Sequence, residues 1–195
     1  MPRTRTISDT QVLDATITFV GRHGVDKLTF ASLSEHIGLS PATLVQRFGS
    51  KKGLLAAVTR YCLQSMLPTL NKAESENVSP LNAVYAAFES MAKAVTTVNE
   101  FANGQVFFYL ALTDPEMNTL LNKSMTEARI KIEQLLNEAM KVNEIKRCDT
   151  TSLALTLQSM YEGAITTWLV YQQDDVQSWV SDRLTQVIEP YKITS

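Results

Sequence analysis

Three prolines of this chain directly follow a residue that caps helices, and these dipeptides constrain the fold more than any other feature. They are Ser40-Pro41, Ser79-Pro80 and Asp114-Pro115. Serine or aspartate at an N-cap accepts backbone N–H groups, and proline is tolerated at the first helical position because its missing donor would have no partner there. Each dipeptide therefore predicts a helix start. Further starts are predicted at Thr29, Ser50 and Asp174-Asp175.

Between these starts, apolar residues recur at the helical spacing of three and four, as in Leu81, Val84, Phe88 and Met91. The chain has 7 Gly and 6 Pro in 195 residues, too few for the many tight turns of an all-β protein. We therefore predict an all-α fold of about nine helices. The longest uncharged stretch, residues 101–113, is too short for a membrane span, and the N-terminus has no apolar stretch typical of a secretory signal. A cytoplasmic protein with no membrane partner is expected.

Residues of the kinds that bind metals or perform catalysis are few and scattered. The two cysteines, Cys62 and Cys148, form no CxxC pair, and the histidines are His23 and His36. No phosphate-binding glycine loop or nucleophile motif occurs. We therefore expect neither an enzyme nor a cofactor.

The charge of the chain is unevenly distributed. Residues 1–60 contain eight Lys and Arg but four Asp and Glu, whereas the formal net charge of the whole chain is −2. The first 60 residues are thus basic and the remainder is acidic. This asymmetry indicates that only the front of the chain meets a polyanion.

Residues 29–48 have the pattern of a helix-turn-helix. Leu33 lies on the inner face of the first helix, and Gly38 supplies the left-handed conformation of the turn. Leu44 of the second helix points back towards the first. The other side of the second helix offers small, amide and basic groups, which suit base edges and phosphates. These outward residues are Pro41, Ala42, Thr43, Val45, Gln46 and Arg47.

The first 60 residues resemble the DNA-binding domain of the TetR family of bacterial transcriptional regulators. The residues at the family's spacing are Val12, Leu13, Asp14, Ala15, Phe19, His23, Gly24, Thr29, Ile37, Gly38, Leu39, Ser40, Thr43, Leu44, Phe48, Ser50, Lys51, Leu54 and Leu55. The resemblance implies a DNA-binding domain at residues 1–50 and a ligand-binding and dimerisation domain at 51–195, which share the helix near Ser50. It also implies a homodimeric, ligand-responsive repressor that a small molecule releases from a palindromic operator on double-stranded DNA. The acidic remainder of the chain and its Met- and aromatic-rich middle helices favour an apolar or cationic effector. The alternative is an all-α small-molecule-binding protein or enzyme whose helix-turn-helix is incidental.

The expected DNA-binding residues are Thr29, Ser40, Pro41, Ala42, Thr43, Val45, Gln46, Arg47 and Lys51. Val45 departs from the family, which usually has an aromatic residue there, so its expected role is limited to a thymine methyl group. Lys51 is expected to bind a phosphate at a helix N-terminus. Lys52 is either a second phosphate ligand or a solvated charge, and Arg3 and Arg5 either reach an adjacent groove or form a frayed tail.

The helices after residue 80 supply the expected effector and dimer contacts. The expected effector-binding residues are Phe88, Met91, Phe108, Met125, Tyr161 and Trp168. The expected dimer interface comprises Leu157, Ala164, Trp168, Val176, Val180, Leu184 and Val187, although the same apolar stripes could be buried in the subunit's own core. Glu162 is the single acidic residue in the range 150–173, and it faces solvent, faces an interface or holds a cationic ligand.

Overall fold

The computed structural model describes residues 7–95 and 97–193, and within these residues it contains ten α-helices. One isolated bridge, between Ile145 and Lys192, is the extent of β-structure in this described part. The predicted all-α fold is confirmed. In chain order the helices are α1 (Asp9–His23), α2 (Phe30–Ile37), α3 (Pro41–Phe48), α4 (Lys51–Leu63), α5 (Met66–Glu76), α6 (Pro80–Lys93), α7 (Val98–Thr113), α8 (Pro115–Lys141), α9 (Thr150–Tyr171) and α10 (Val176–Ile188).

The helices begin where the capping residues predict. The side chains of Ser40 and Ser79 accept the backbone N–H groups three residues further on, and Asp114 accepts those of Glu116 and Met117. Pro68 does not end a helix, because α4 ends at Leu63 and Pro68 lies in the first turn of α5. A proline is tolerated in a first turn because the N–H groups there have no intrahelical partner.

The helices pack as two compact units. The first unit comprises Met1–Leu63 and Thr96–Leu121, and the second comprises Gln64–Val95 and Asn122–Ser195. The packing therefore groups α4 and α7 with the front helices, whereas the functional division expected from the sequence, at residues 50 and 51, stays a prediction.

In the first unit, α7 packs against α1 and completes the core of the front helices. Phe107 of α7 belongs to the same buried cluster as Val12, Leu33, Leu44 and Leu54. The Asn103 side-chain amide donates a 2.8 Å hydrogen bond to the backbone carbonyl of Gly21, and Arg22 pairs with Glu100 at 3.5 Å. The front helices are thus held by a helix that lies 50 residues further along the chain than α3.

The second unit is built around α6, α8, α9 and α10. Phe88 of α6, Leu136 of α8, Leu157 of α9 and Leu184 of α10 are all buried. The indole N–H of Trp179 donates to the backbone carbonyl of Ala164 at 3.0 Å, which fixes α10 against α9. Of the helices that the structure describes, none is long and apolar enough to cross a membrane.

Candidate DNA-binding surface and ligand cavity

The helix-turn-helix has the geometry that its sequence predicts. Gly38 ends α2 with φ 74° and donates its N–H to the Ser34 carbonyl at 2.8 Å. A left-handed residue at this position favours glycine, because a Cβ atom there is strained. Leu33 and Leu44 are fully buried and hold the two helices together. The turn and this apolar contact fix the direction in which α3 points.

The outer side of α3 is a continuous exposed surface, which we call the α3 outer face and define as Pro41, Ala42, Val45 and Gln46. Val45 is 49% exposed even though it is apolar. A single exposed hydrophobic side chain is common on protein surfaces. On α3, which also carries the exposed amide of Gln46, an exposed valine suits contact with a thymine methyl group. The α3 outer face is therefore free to enter a groove of DNA.

Two expected DNA-binding residues act as helix caps. Thr29 accepts the Ser32 N–H at the start of α2, and Ser40 accepts the Thr43 N–H at the start of α3. The hydroxyls of Ser40 and Thr43 lie 2.8 Å apart. Because Thr29 and Ser40 are exposed and a hydroxyl has more than one hydrogen-bonding site, capping leaves capacity for a phosphate contact.

Arg47 and Lys51 have partners within the protein that the sequence does not reveal. The Arg47 guanidinium donates to the Ile7 carbonyl at 2.7 Å and lies 3.4 Å from the Asp9 carboxylate. The Lys51 ammonium donates to the Val25 carbonyl at 2.7 Å. Lysine has three N–H donors, so two remain for a phosphate. Lys52 is exposed and makes no ion pair with the part of the chain that the structure describes.

A small cavity in the second unit brings together four of the six expected effector-binding residues. Its lining is Met66, Leu70, Phe88, Met91, Met125, Ile132, Gln158, Tyr161 and Glu162. Its volume is about 10 Å³, which is room for about one water molecule. A wider cleft of about 650 Å³ near the end of α8 contains none of the expected residues.

The other two expected effector-binding residues lie elsewhere. Phe108 belongs to α7 in the first unit and is 42% exposed. Trp168 is buried away from the cavity lining, and its indole N–H is 3.3 Å from the Asp174 carbonyl. The sequence does not indicate Met66, Leu70 and Ile132 as cavity residues, because apolar residues at helical spacing look the same whether they line a cavity or fill a core. It does not indicate Gln158 either, because the amide's partner, the Met125 carbonyl, is distant in sequence.

Polar groups of the cavity come from one helix. Gln158, Tyr161 and Glu162 lie one turn apart on α9, and the Gln158 amide donates to the Met125 carbonyl at 2.9 Å. Burial raises the pKa of the Tyr161 hydroxyl, and partial desolvation at the cavity raises the pKa of the Glu162 carboxyl. Glu162 therefore lines the cavity and is also exposed to solvent.

The residues expected at the dimer interface pack mostly inside the second unit. Leu157, Ala164, Trp168, Val176, Val180 and Leu184 are buried among the chain's own helices, and Val187 is half buried. Side chains that are already covered leave no surface for a partner. The opposite side of α9 is open, with Leu155 56% exposed and Val170 73% exposed.

Models of bacterial transcriptional regulators match both the helix-turn-helix region and the later helices of the chain. A family model described as bacterial regulatory proteins, tetR family, matches residues 12–58. A second, described as the C-terminal domain of LmrA/YxaF-like transcriptional regulators, matches residues 80–179. The curated HTH-type transcriptional regulator BetI of Brucella anthropi is 27% identical over 100 residues, which are 51% of this chain and 52% of that protein. The chain thus spans about half the length of the curated relatives it matches.

Solved structures share the fold at low sequence identity. A putative transcriptional regulator from Saccharomonospora viridis, solved in complex with choline, has a TM-score of 0.80 at 15% identity over 96% of this chain and 98% of that chain. FadR from Bacillus subtilis, solved with stearoyl-CoA, has a TM-score of 0.68 at 13% identity over 93% and 98%. At such identities the likeness shows the fold alone. Because a family model of bacterial tetR-type regulators covers the helix-turn-helix and a second regulator model covers more than half of the chain, the protein belongs to the TetR family of bacterial transcriptional regulators.

Proposed function

We propose that this chain is a ligand-responsive repressor that binds an operator on double-stranded DNA as a homodimer and leaves it when a small molecule occupies the cavity. The observation that carries the proposal is the helix-turn-helix, in which buried Leu33 and Leu44 hold α3 so that its outer face is exposed. The membership of the TetR family supports the same function. The proposal includes no enzymatic activity, and it places the protein in the cytoplasm, where chromosomal DNA lies.

Sequence recognition is assigned to the α3 outer face. The Gln46 amide can form a bidentate pair with adenine, and exposed Val45 can contact a thymine methyl group. Pro41 and Ala42 are small, so they allow the backbone to come close to the DNA. Lys51 and exposed Lys52 supply phosphate contacts, which position the helix without reading sequence. Arg3 and Arg5, for which the sequence leaves a groove contact and a frayed tail open, lie outside the described residues.

Dimerisation is assigned to the outer side of α9, because the sides of α9 and α10 expected from the sequence are covered. We call this surface the α9 outer face and define it as Leu155, Ser159, Gly163, Thr166 and Val170. It combines exposed apolar residues with small ones that allow helices to approach closely. Two-fold pairing through this face makes the operator palindromic, with half-sites about one DNA turn apart or somewhat more.

The effector is assigned to the cavity of the second unit. The similar structures with choline and with stearoyl-CoA show that regulators of this fold hold small molecules of very different chemistry. Here the cavity of about 10 Å³ has to open, and three flexible methionines in its lining make that possible. To release DNA, the effector must bind the DNA-incompetent state more tightly, by about 1.4 kcal/mol for each tenfold loss of operator affinity.

Mapping of protected DNA across the source genome tests the proposal directly. Purified full-length protein is expected to protect a few palindromic sites at physiological salt, and the Gln46→Ala variant is expected to lose protection at those sites. Equal, sequence-independent protection by both proteins would contradict the repressor function. Such a result, or no DNA binding at all, would favour the alternative of a small-molecule-binding protein with an incidental helix-turn-helix.

A further inference from the structure

We propose that the effector is a small cation with an apolar body, and that Glu162 is the counter-ion that selects it. The inference rests on the proposed function, because it names the ligand class of the same cavity. Three features carry it, namely the separation of polar from apolar lining, the aromatic rings of the lining, and the lack of a basic partner for Glu162 among the described residues.

The lining of the cavity divides into a buried floor and an open rim. Leu70, Phe88 and Ile132 are almost completely buried and form an apolar floor. Met66, Met91, Met125 and Tyr161 are half buried and Glu162 is exposed, so these residues form the rim. A ligand that enters past flexible methionine side chains therefore meets the Glu162 carboxylate first and the apolar floor last.

Polar and apolar groups come from different helices. Met66 and Leu70 belong to α5, Phe88 and Met91 to α6, and Met125 and Ile132 to α8. The three polar residues all belong to α9. This arrangement suits an amphiphilic ligand that turns its polar head towards α9 and its apolar body towards α5, α6 and α8.

The aromatic rings favour a positive rather than a negative head group. The ring centroids of Phe88 and Tyr161 lie 5.6 Å apart with their planes tilted by 51°, and both rings line the cavity beside Glu162. The face of an aromatic ring carries partial negative charge and attracts cations within about 6 Å. A cationic head group beside Glu162 is therefore attracted by the carboxylate and can also approach the Tyr161 ring at the rim, while Phe88 lies deeper, on the apolar floor.

Among the described residues, the cavity lining offers Glu162 no positively charged partner. No Lys, Arg or His lines the cavity within the described residues, and none of the ion pairs formed there includes Glu162. A partly desolvated carboxylate without a partner is costly, and the raised pKa of Glu162 reflects that cost. A ligand cation supplies the missing partner, whereas a carboxylate ligand adds a second negative charge.

Binding of three ligands of similar size separates the effect of charge from that of shape. The probes are 2-phenylethylammonium, 2-phenylethanol and phenylacetate, which share a phenyl body and differ in the charge of the head group. Isothermal titration calorimetry is performed on the full chain without DNA. We expect the ammonium to bind about tenfold more tightly than the alcohol, and phenylacetate to bind most weakly.

The decisive variant is Glu162→Gln, with Glu127→Gln as its control. Glu127 lies in the second unit, pairs with Lys123 on the surface and is not part of the cavity lining, so its replacement removes the same charge elsewhere. E162Q is expected to lose most of the tenfold preference for the ammonium over the alcohol, because only the weaker attraction of the aromatic rings remains, whereas E127Q is expected to keep that preference. Sedimentation of both variants checks that they assemble as the wild type does.

Several results would overturn the inference. They are equal binding of all three probes by the wild type, no binding of any probe at millimolar concentration, a preserved cation preference in E162Q, and a loss of assembly in E162Q, which would place the carboxylate at a subunit contact. Operator release is measured separately by fluorescence anisotropy. A cation preference without operator binding would overturn the proposed repressor function and leave the ligand class standing.

Discussion

Gly53 lies where the first turn of α4 meets the last turn of α3, and the site has no room for a side chain. A Cβ atom on Gly53 would overlap the Phe48 backbone carbonyl oxygen, which also accepts the Ser50 N–H at 2.8 Å. A backbone carbonyl cannot move aside as the end of a flexible side chain can. The connection between α3 and α4 therefore requires glycine at this position.

The Gly53→Ala variant is expected to be less stable than the wild type by about 1–3 kcal/mol, the usual cost of overpacking. Gly104→Ala is the matched control, since Gly104 lies within α7 of the same unit and an added Cβ meets no described atom within 4 Å. That control is expected to gain about 0.5–1 kcal/mol of helix propensity. Urea denaturation measures both variants. Equal stability of the two would show that the α3–α4 connection is not tight.

The raised pKa of Glu162 predicts that this residue makes the stability of the protein depend on pH. Because the pKa in the folded protein lies above the ordinary value of 4.5, the protonated carboxyl favours the fold. This contribution is complete below about pH 4.5 and is lost as the pH rises through the raised pKa. Without ligand, E162Q is therefore expected to have a higher melting temperature than the wild type at pH 7 but not at pH 4. A constant difference at both pH values would contradict the desolvation of this group.

Helix α3 and the start of α4 combine the α3 outer face with two cationic side chains that bond backbone carbonyls of the same unit. Arg47 holds the chain just before α1 through the Ile7 carbonyl, and Lys51 holds the 3-10 turn before α2 through the Val25 carbonyl. These cations thus fix the segments around the helix-turn-helix in addition to any contact with DNA.

Lys51→Ala is expected to weaken binding to all DNA sequences and to reduce the slope of log affinity against log salt by about one. It is also expected to lower the free energy of unfolding by about 1–3 kcal/mol, because a charged donor to Val25 is lost. Lys52→Ala is the control and should leave stability unchanged, because Lys52 has no ion pair with the residues that the structure describes. Salt-dependent anisotropy and urea denaturation give the two readouts. If K51A left both affinity and salt slope unchanged, the phosphate role would be wrong.

Features that depend on residues close in sequence could be predicted, whereas contacts between residues distant in sequence could not. Helix starts at Ser40, Ser79 and Asp114 could be predicted because a cap binds N–H groups two or three residues away. The partner of Lys51 is 26 residues away, so no local pattern indicates it. Apolar spacing in α9 and α10 correctly indicates buried stripes, but spacing does not tell whether the same chain or a partner covers them. Four cavity residues, including Phe88 of the floor, could be predicted from aromatic and Met content, while Leu70 and Ile132 look like ordinary core.

At the scale of the whole molecule, the proposed dimer depends on the α9 outer face. An added Cβ at Gly163 meets no described atom within 4 Å, so the subunit itself tolerates a larger residue there. Ala164, one residue further along α9, is only 4% exposed and packs inside the second unit. Neighbouring positions therefore separate the interface from the core.

Gly163→Arg is expected to give a folded monomer that no longer binds the operator. In the dimer the guanidinium would be buried against the partner, and burial of an unpaired charge costs several kcal/mol. Ala164→Arg is the contrasting variant, expected to lose helical structure because the charge enters the subunit's own core. Analytical ultracentrifugation and circular dichroism distinguish the two outcomes. A dimeric G163R would place the interface on another face.

The packing of α7 against α1 has a consequence for how such a chain can be rearranged. Phe107, Asn103 and Glu100 all come from a segment that is distant in sequence but belongs to the unit of the helix-turn-helix. A fragment that ends after α4 would expose the apolar surface that Phe107 covers. Helices α1–α4 are therefore not expected to fold without α7. A chimera that transfers its DNA specificity to another regulator has to carry α7 along, or supply a helix that replaces it, so recombination at a single crossover after α4 is expected to yield insoluble products.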